Sequence, residues 1–227
     1  VIYAFLGLSY LLGATPTSYW VGRVFHGLDL REHGSGNLGA TNALRVLGMK
    51  SALPVVFVDV AKGWIPVWLF ADLVGAGFEW AFAYGIAAIL GHMFSFWVGF
   101  KGGKGMATSA GVFLGFAPLA VLAGFVLWLG FTLPTGYVSL GSIVSAGTLP
   151  FLIYLTPHQG GDALVLFSAP LAVFVVWKHR ANIGRLRRGE ENRFGVRGTR
   201  PSQAPDEREP APAITPGDPE QPRTGTI

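Results

Sequence analysis

The sequence predicts an all-α integral membrane protein of about seven transmembrane helices, some short or broken, with the N-terminus outside and the C-terminus cytoplasmic. Three observations carry this. Of 227 residues, 51% are hydrophobic and only 13% charged, where a soluble domain carries roughly 25% charged residues. Several apolar runs reach the ~20 residues that a helix needs to span a bilayer. Three polar segments, rich in glycine and basic residues, interrupt these runs: Gly34 to Asn42 with Arg45, Lys101 to Gly105, and Lys178 to Ile183 with Arg185, Arg187 and Arg188.

The elements follow in order. Residues 1–24 read as a first span, with Pro16 as a kink. No basic segment precedes its apolar run, so it is expected to be retained rather than cleaved as a signal peptide. Residues 25–50 are polar and carry the first motif. A second span covers about 51–73 and a third about 78–98, followed by the polar stretch 99–105. Residues 106–132 are apolar but broken at Pro118, and 136–156 and 162–177 are two further apolar runs. Residues 1–192 thus form one membrane domain. From 193 to 227 the chain is polar and rich in proline and acidic residues without apolar periodicity, the composition of a disordered tail.

Charge placement sets the expected topology. Arg23, Arg31, Arg45 and Lys50 flank the first motif, and basic residues mark the other two, while the connections near 72–80 and 157–162 hold no Lys or Arg. The positive-inside rule puts all three motifs on the cytoplasmic side. An even number of spans must then separate motif two from motif three, yet hydropathy shows three apolar blocks. Two short helices within 106–132 that leave and return give seven segments; a five-span arrangement, with 136–177 folded differently, is the alternative. Net charge is +4 and the isoelectric point near 9.6. Because the basic residues cluster beside apolar runs, they point to membrane orientation and anionic ligands rather than nucleic acid. The chain has no cysteine, which excludes a disulfide scaffold and a thiol nucleophile.

The motifs suit phosphate. Glycines let backbone N–H groups approach an anion closely, and Lys and Arg supply fixed charge. In the first, Ser35, Asn37, Thr41 and Asn42 add hydrogen-bonding side chains to the small residues Gly36 and Gly39, and Arg45 offers a bidentate clamp. The plainer alternative is a glycine-rich turn ahead of a helix starting near Thr41. In the second, Gly102, Gly103, Lys104 and Gly105 open an apolar helix whose dipole favours an anion. It is not a Walker A loop, since Gly105 stands where Ser or Thr is needed. The plainer alternative is a positive-inside anchor. His92 lies in an apolar helix just before it, where a structural role is the commoner outcome. In the third, His179 and Asn182 share a helical face at i, i+3, and histidine has the pKa range for general base work. A basic stop signal would explain the arginines but not this pair. Glu190 and Glu191 are expected to pair with the arginines. Asp59 and Lys62, three apart inside the second span, are expected to pair with each other. The small run 139–142, including Ser142, fits either helix packing or a polar lining. No HExxH and no aspartate cluster is present, so no metal is indicated.

At these segments the chain resembles the bacterial membrane acyl-phosphate:glycerol-3-phosphate acyltransferase family (PlsY), over about residues 1–192. The resemblance rests on Ser35 to Asn42 with Arg45, on Asp59, Lys62 and Gly63, on Gly91, His92 and Phe94 followed by Gly102 to Gly105, and on His179 to Leu186 with Gly189 and Glu191. Two positions depart from the family pattern: Ser95 stands where proline is usual, and Gly136 where arginine is frequent. The resemblance implies transfer of a fatty acyl group from acyl phosphate to the 1-hydroxyl of sn-glycerol 3-phosphate, giving lysophosphatidic acid and phosphate. It implies no cofactor and no covalent enzyme intermediate. Ser35, Arg45, His179 and Asn182 become the implied catalytic residues. Gly36, Asn37, Gly39, Thr41, Asn42, Gly102, Gly103, Lys104, Gly105 and Ser142 become the implied substrate contacts. The implied setting is the bacterial cytoplasmic (inner) membrane, with the active site on the cytoplasmic side. The implied partners are glycerol 3-phosphate, acyl phosphate, membrane lipids and the enzyme that makes the acyl phosphate. Two rival classes use similar residues. A transporter of a phosphorylated metabolite needs a path open to both faces, whereas all three motifs are expected on one. A CDP-alcohol phosphotransferase needs an aspartate cluster that is absent.

Overall fold

The structure, a computed structural model, describes residues 1–194; of the tail expected over 193–227, residues 195–227 lie outside the described residues. Among the described residues the chain is helical with no strands. In order come α1 (Ile2–Ala14), α2 (Thr17–His26), α3 (Ala40–Leu47) and α4 (Met49–Ile65). A π-turn (Pro66–Phe70) links α4 to the short α5 (Ala71–Leu73). Pro66 has no N–H for the α-helical ladder, so the backbone bonding shifts by one residue there. Then follow α6 (Phe78–Met93), α7 (Met106–Phe116), α8 (Pro118–Thr135), α9 (Val138–Leu155), α10 (Gly161–Lys178) and α11 (Arg180–Arg187).

Among the described residues, five helical stretches are long and apolar enough to cross a membrane: Met49–Leu73, Phe78–Val98, Pro118–Thr135, Val138–Leu155 and Gly161–Lys178. Two more apolar helices are shorter, α1 with 13 residues and α7 with 11. Two expectations are corrected here. The first span is not continuous to residue 24: it ends at Ala14, and after Thr15 and Pro16 a separate helix, α2, begins. The region 106–132 is not two short helices. It is one short helix and one of 18 residues, divided at Ala117. Pro118 opens α8, where its missing N–H costs nothing.

Contacts between connections fix the direction of each helix. The Tyr84 hydroxyl donates to the Ile2 carbonyl at 3.1 Å, and Tyr3 meets Trp80 edge-on, so α1 starts where α6 starts. The Gln159 N–H donates to the Phe116 carbonyl at 2.9 Å, so α7 ends beside the 157–160 loop. The Phe194 N–H donates to the Gly136 carbonyl, so α8 returns to the end that carries the last described residues. All three motifs gather at that end, and Val1 lies at the other.

Helix pairs α1–α6, α4–α7, α8–α9 and α9–α10 form the main packing seams. The α4–α7 seam is backbone to backbone: a Cβ on Gly111 would fall 2.0 Å from the Val60 carbonyl oxygen, and one on Gly63 would fall 2.1 Å from that of Thr108. The apolar core lies around α6 and α7, with Tyr84, Ile89, Val112, Phe113 and Phe116 fully enclosed. Inside it the Asp59–Lys62 pair forms as the spacing predicts, at 2.8 Å. Thr17 donates to Asp59 and Lys62 donates to the Thr15 carbonyl, both at 2.9 Å, so the pair pins the α1–α2 break onto α4.

Candidate active site

The first motif is shaped by two buried side chains. Asp29 binds Arg31 and Arg23 at 2.7 and 2.8 Å. Hydrogen bonds from Arg31 hold its carboxyl well below the usual carboxylate range, outweighing the burial that would raise it. Asn42 accepts the Ser35 N–H at 2.8 Å and donates to the carbonyls of His33 and Leu30 at 3.0 and 3.1 Å. Gly34, at φ +63°, faces that amide so closely that a Cβ would lie 2.4 Å from its oxygen. Asn42 was an expected substrate contact. The structure uses its amide to fold the loop instead, and the side chain is 1% exposed. Ser35, Thr41 and Arg45 stay exposed along the rim, with Gly36 and Asn37 half-buried behind them. Gly39 starts α3, whose first turn has no side-chain cap and so keeps unpaired N–H groups.

The second motif folds back on the end of α6. The Gly102 and Gly103 N–H groups donate to the carbonyls of Met93 and His92 at 3.2 and 3.1 Å. Both amides were expected to hold an anion; they cap α6 instead. The glycines serve close approach: a Cβ on Gly103 would lie 2.2 Å from His92 Nε2 and 2.9 Å from the Leu38 carbonyl oxygen. Motif two is thereby wedged between His92 and motif one, which gives His92 its structural role. Gly105, at φ +84°, opens α7, and no side chain caps that helix's first turn. The free N–H groups of this region therefore lie in the first turn of α7, after Lys104, rather than at Gly102 and Gly103.

The third motif closes the site. His179 caps α10, and its Nδ1 lies 2.8 Å from the Val175 carbonyl. A carbonyl only accepts, so Nδ1 carries the proton and Nε2 presents a lone pair. Burial lowers the imidazole pKa to about 4, and the charge of Lys104 adds to this. Asn182 joins two motifs: its Oδ1 accepts from Lys104 Nζ and its Nδ2 donates to Glu191 at 2.7 Å. Glu191 also accepts from Arg185 at 2.7 Å and from Ser139 at 3.0 Å. Burial would raise the Glu191 pKa, but bonds from Arg185, Asn182 and Ser139 bring it below the usual value. Lys104 falls to about 8, through burial first and the neighbouring Arg185 charge second. Arg45, exposed over part of its length, is also lowered by the partial desolvation of the rest, within the field of Glu191 and Arg185.

Arg45, Lys104, His179 and Asn182 are thus brought into one charged cluster, as their motifs suggested. Ser142, another expected contact, is not part of it. Its hydroxyl donates to the Val138 carbonyl at 2.9 Å and accepts from Trp128 at 3.2 Å, which serves α8–α9 packing. Ser139, one turn earlier, takes the place in the site. Glu190 and Glu191 pair with Arg188 and Arg185 as predicted, each at 2.7 Å. The central position of Glu191 was missed, because no periodicity links it to Asn182 nine residues away. Asp29 was missed too, although Arg23 and Arg31 on either side were a signal. A cavity of about 200 Å³ opens beside Arg45, between α3, the start of α9 and residues 192–194.

Comparison with known proteins identifies the family. A family model described as glycerol-3-phosphate acyltransferase matches residues 3–189. A protein of that name from Geobacter sulfurreducens is 44% identical over 82% of this chain and 94% of its own length. The Fusobacterium nucleatum protein is 42% identical, covering 85% and 97%. Among solved structures, PlsY (YgiH), an integral membrane glycerol 3-phosphate acyltransferase, is similar in its glycerol 3-phosphate form. It superposes with a TM-score of 0.77 at 39% identity, covering 86% of this chain and 96% of its own. Its lysophosphatidic acid form gives 0.75 at 38%, with 86% and 95% coverage.

Proposed function

Because the chain belongs to the glycerol-3-phosphate acyltransferase family, we propose that it takes its acyl group from acyl phosphate and passes it directly to the 1-hydroxyl of sn-glycerol 3-phosphate. The protein is a multi-pass membrane acyltransferase. The products are lysophosphatidic acid and inorganic phosphate, an early step of bacterial phospholipid synthesis. The reaction takes place at the cytoplasmic face of the inner membrane, with the C-terminus on that side and the N-terminus outside. The positive-inside placement of the motifs supports that face.

The observation that carries this reading is the hydrogen-bonded chain from Lys104 through Asn182 to Glu191, with the neutral His179 and the cationic Arg45 alongside. Acyl phosphate is a mixed anhydride and already activated, so the site must chiefly hold phosphates and align two reacting atoms. Lys104, the first turn of α7 and Arg45 bind the phosphate of glycerol 3-phosphate. Ser35, with the backbone around Gly36, Asn37, Gly39 and Thr41, faces the donor and stabilises the oxyanion that develops on its carbonyl. His179 Nε2 accepts a hydrogen bond from the 1-hydroxyl and orients it. The new C–O bond forms as the bond from the acyl carbon to the phosphate oxygen breaks. The hydroxyl proton leaves, finally, on the phosphate. The acyl chain lies between helices in the bilayer.

The test measures phosphate release from palmitoyl phosphate by purified protein, with and without glycerol 3-phosphate, beside palmitoyl-CoA as donor. Release that requires glycerol 3-phosphate, with lysophosphatidic acid formed, is the expected result. Activity with the CoA donor alone would overturn the donor assignment.

A further inference from the structure

The cavity beside Arg45 has a second basic wall that lies outside the residues matched by the family model. It is lined by Thr41 and Arg45 from α3, Val138 from α9, and Asn192, Arg193 and Phe194. The family match ends at residue 189. Residues 192–194 are nonetheless anchored. The Phe194 N–H donates to the Gly136 carbonyl at 2.6 Å, and Arg193 Nε donates to the Tyr137 hydroxyl at 3.0 Å. The Arg193 guanidinium also stacks on the Tyr137 ring at 5.0 Å from its centroid. Gly136 leaves room for this, since a Cβ there would already lie 3.3 Å from Arg193.

Arg23, Arg31, Arg185 and Arg188 are each paired with a carboxylate. Like Arg180 and Arg187, Arg45 and Arg193 lack a carboxylate partner among the described residues, but only Arg45 and Arg193 of these four line the cavity. Two such guanidinium groups flanking one cavity, with a hydroxyl and an amide between them, suit a phosphate monoester. The apolar side chains of Val138 and Phe194 suit a chain attached to it.

We propose that this cavity is a second phosphate subsite, that it receives the phosphate of the acyl donor, and that Arg193 is a donor-specificity residue supplied by the 192–194 strap. This rests on the donor chemistry proposed above. Arg193 holds the donor phosphate in a cavity that Lys104 does not line, so the two substrates' phosphates are read by different cations and share only Arg45.

Steady-state kinetics on the full-length protein in nanodiscs test this, with Arg193→Ala, Arg193→Lys and the control Arg188→Ala. The expected result for Arg193→Ala is a five- to fiftyfold rise in KM for palmitoyl phosphate, with kcat and the KM for glycerol 3-phosphate changed less than twofold. Arg193→Lys recovers part of the loss. Equal changes in both KM values, or a fall in kcat and melting temperature with no KM split, would mean a structural strap and overturn the proposal. Nanodiscs with and without phosphatidylglycerol distinguish a lipid headgroup: an Arg193→Ala effect that vanishes in uncharged lipid also overturns it. Wild-type protein inactive with palmitoyl phosphate would instead refute the donor assignment itself.

Discussion

Lys104 is the side chain whose ionisation the site controls most directly. Its amine falls from the usual 10.5 to about 8, because burial and the Arg185 charge both disfavour the cation. The protonated form is the one that binds phosphate, so function is lost as pH rises through the lowered value. We expect kcat/KM for glycerol 3-phosphate to decline above about pH 8, approaching tenfold per unit. In Lys104→Arg that decline should disappear below pH 10, because guanidinium stays charged; a decline unchanged in that variant would assign the titration to another group. His179 behaves differently. With a pKa near 4 it is already neutral at pH 6, so it adds no activity limb near 6.5. His179→Ala should lower kcat by about 10²- to 10⁴-fold, read by lysophosphatidic acid formation. Near-full turnover would mean that the donor's own phosphate oxygen manages the proton without help. The sequence made Arg45, Lys104, His179 and Asn182 legible, since polar groups stand out at the ends of apolar runs. It could not say that the amides of Asn42, Gly102 and Gly103 are already engaged. Those bonds join segments up to twelve residues apart or fold a loop back on a helix end, and no local pattern encodes them.

At the scale of elements, hydropathy located four of the five long spans to within a few residues, and found the start of the other, at Pro118, without recognising it as a full span. It failed where helices are short. The break at Pro16 and the 11-residue α7 depend on packing rather than length, because glycines let these pieces approach their neighbours' backbones. The α4–α7 seam is therefore intolerant of bulk. Gly111→Val should destabilise the protein by about 1–3 kcal/mol or more, seen as a lower melting temperature in detergent. Gly124, whose added Cβ would meet only a leucine tip at 3.7 Å, is the matched control. Equal melting temperatures for the two valine variants would show that the seam is looser than its geometry. The buried Asp59–Lys62 pair works with this seam by fixing the α1–α2 break. Its sequence spacing revealed the pair, though not its partners Thr15 and Thr17.

At the scale of the whole molecule, three segments distant in sequence converge on one end of a helical bundle, and Asn182 ties the second of them to the third. That convergence was legible because a membrane reduces the arrangement of spans to two choices of side. What the short helices do to their surroundings was not. The 11 residues of α7 rise only about 16 Å, against a hydrocarbon thickness of about 30 Å. Its last carbonyl is met by the Gln159 N–H, so the connection between α9 and α10 satisfies it. The neighbours of α7 cover it almost wholly, but α1 is also short, 13 residues rising about 20 Å, and it turns Tyr3, Leu8 and Leu11 outward, so lipid packed against it is expected to thin at an elastic cost that grows with lipid length. The enzyme should therefore sense the thickness of the membrane it helps to build. Turnover is expected to be higher in bilayers of 14-carbon than of 20-carbon lipids at matched fluidity. Should the acyl chains it installs lengthen the surrounding lipids, mechanical mismatch would slow it, a brake set by the reach of one short helix.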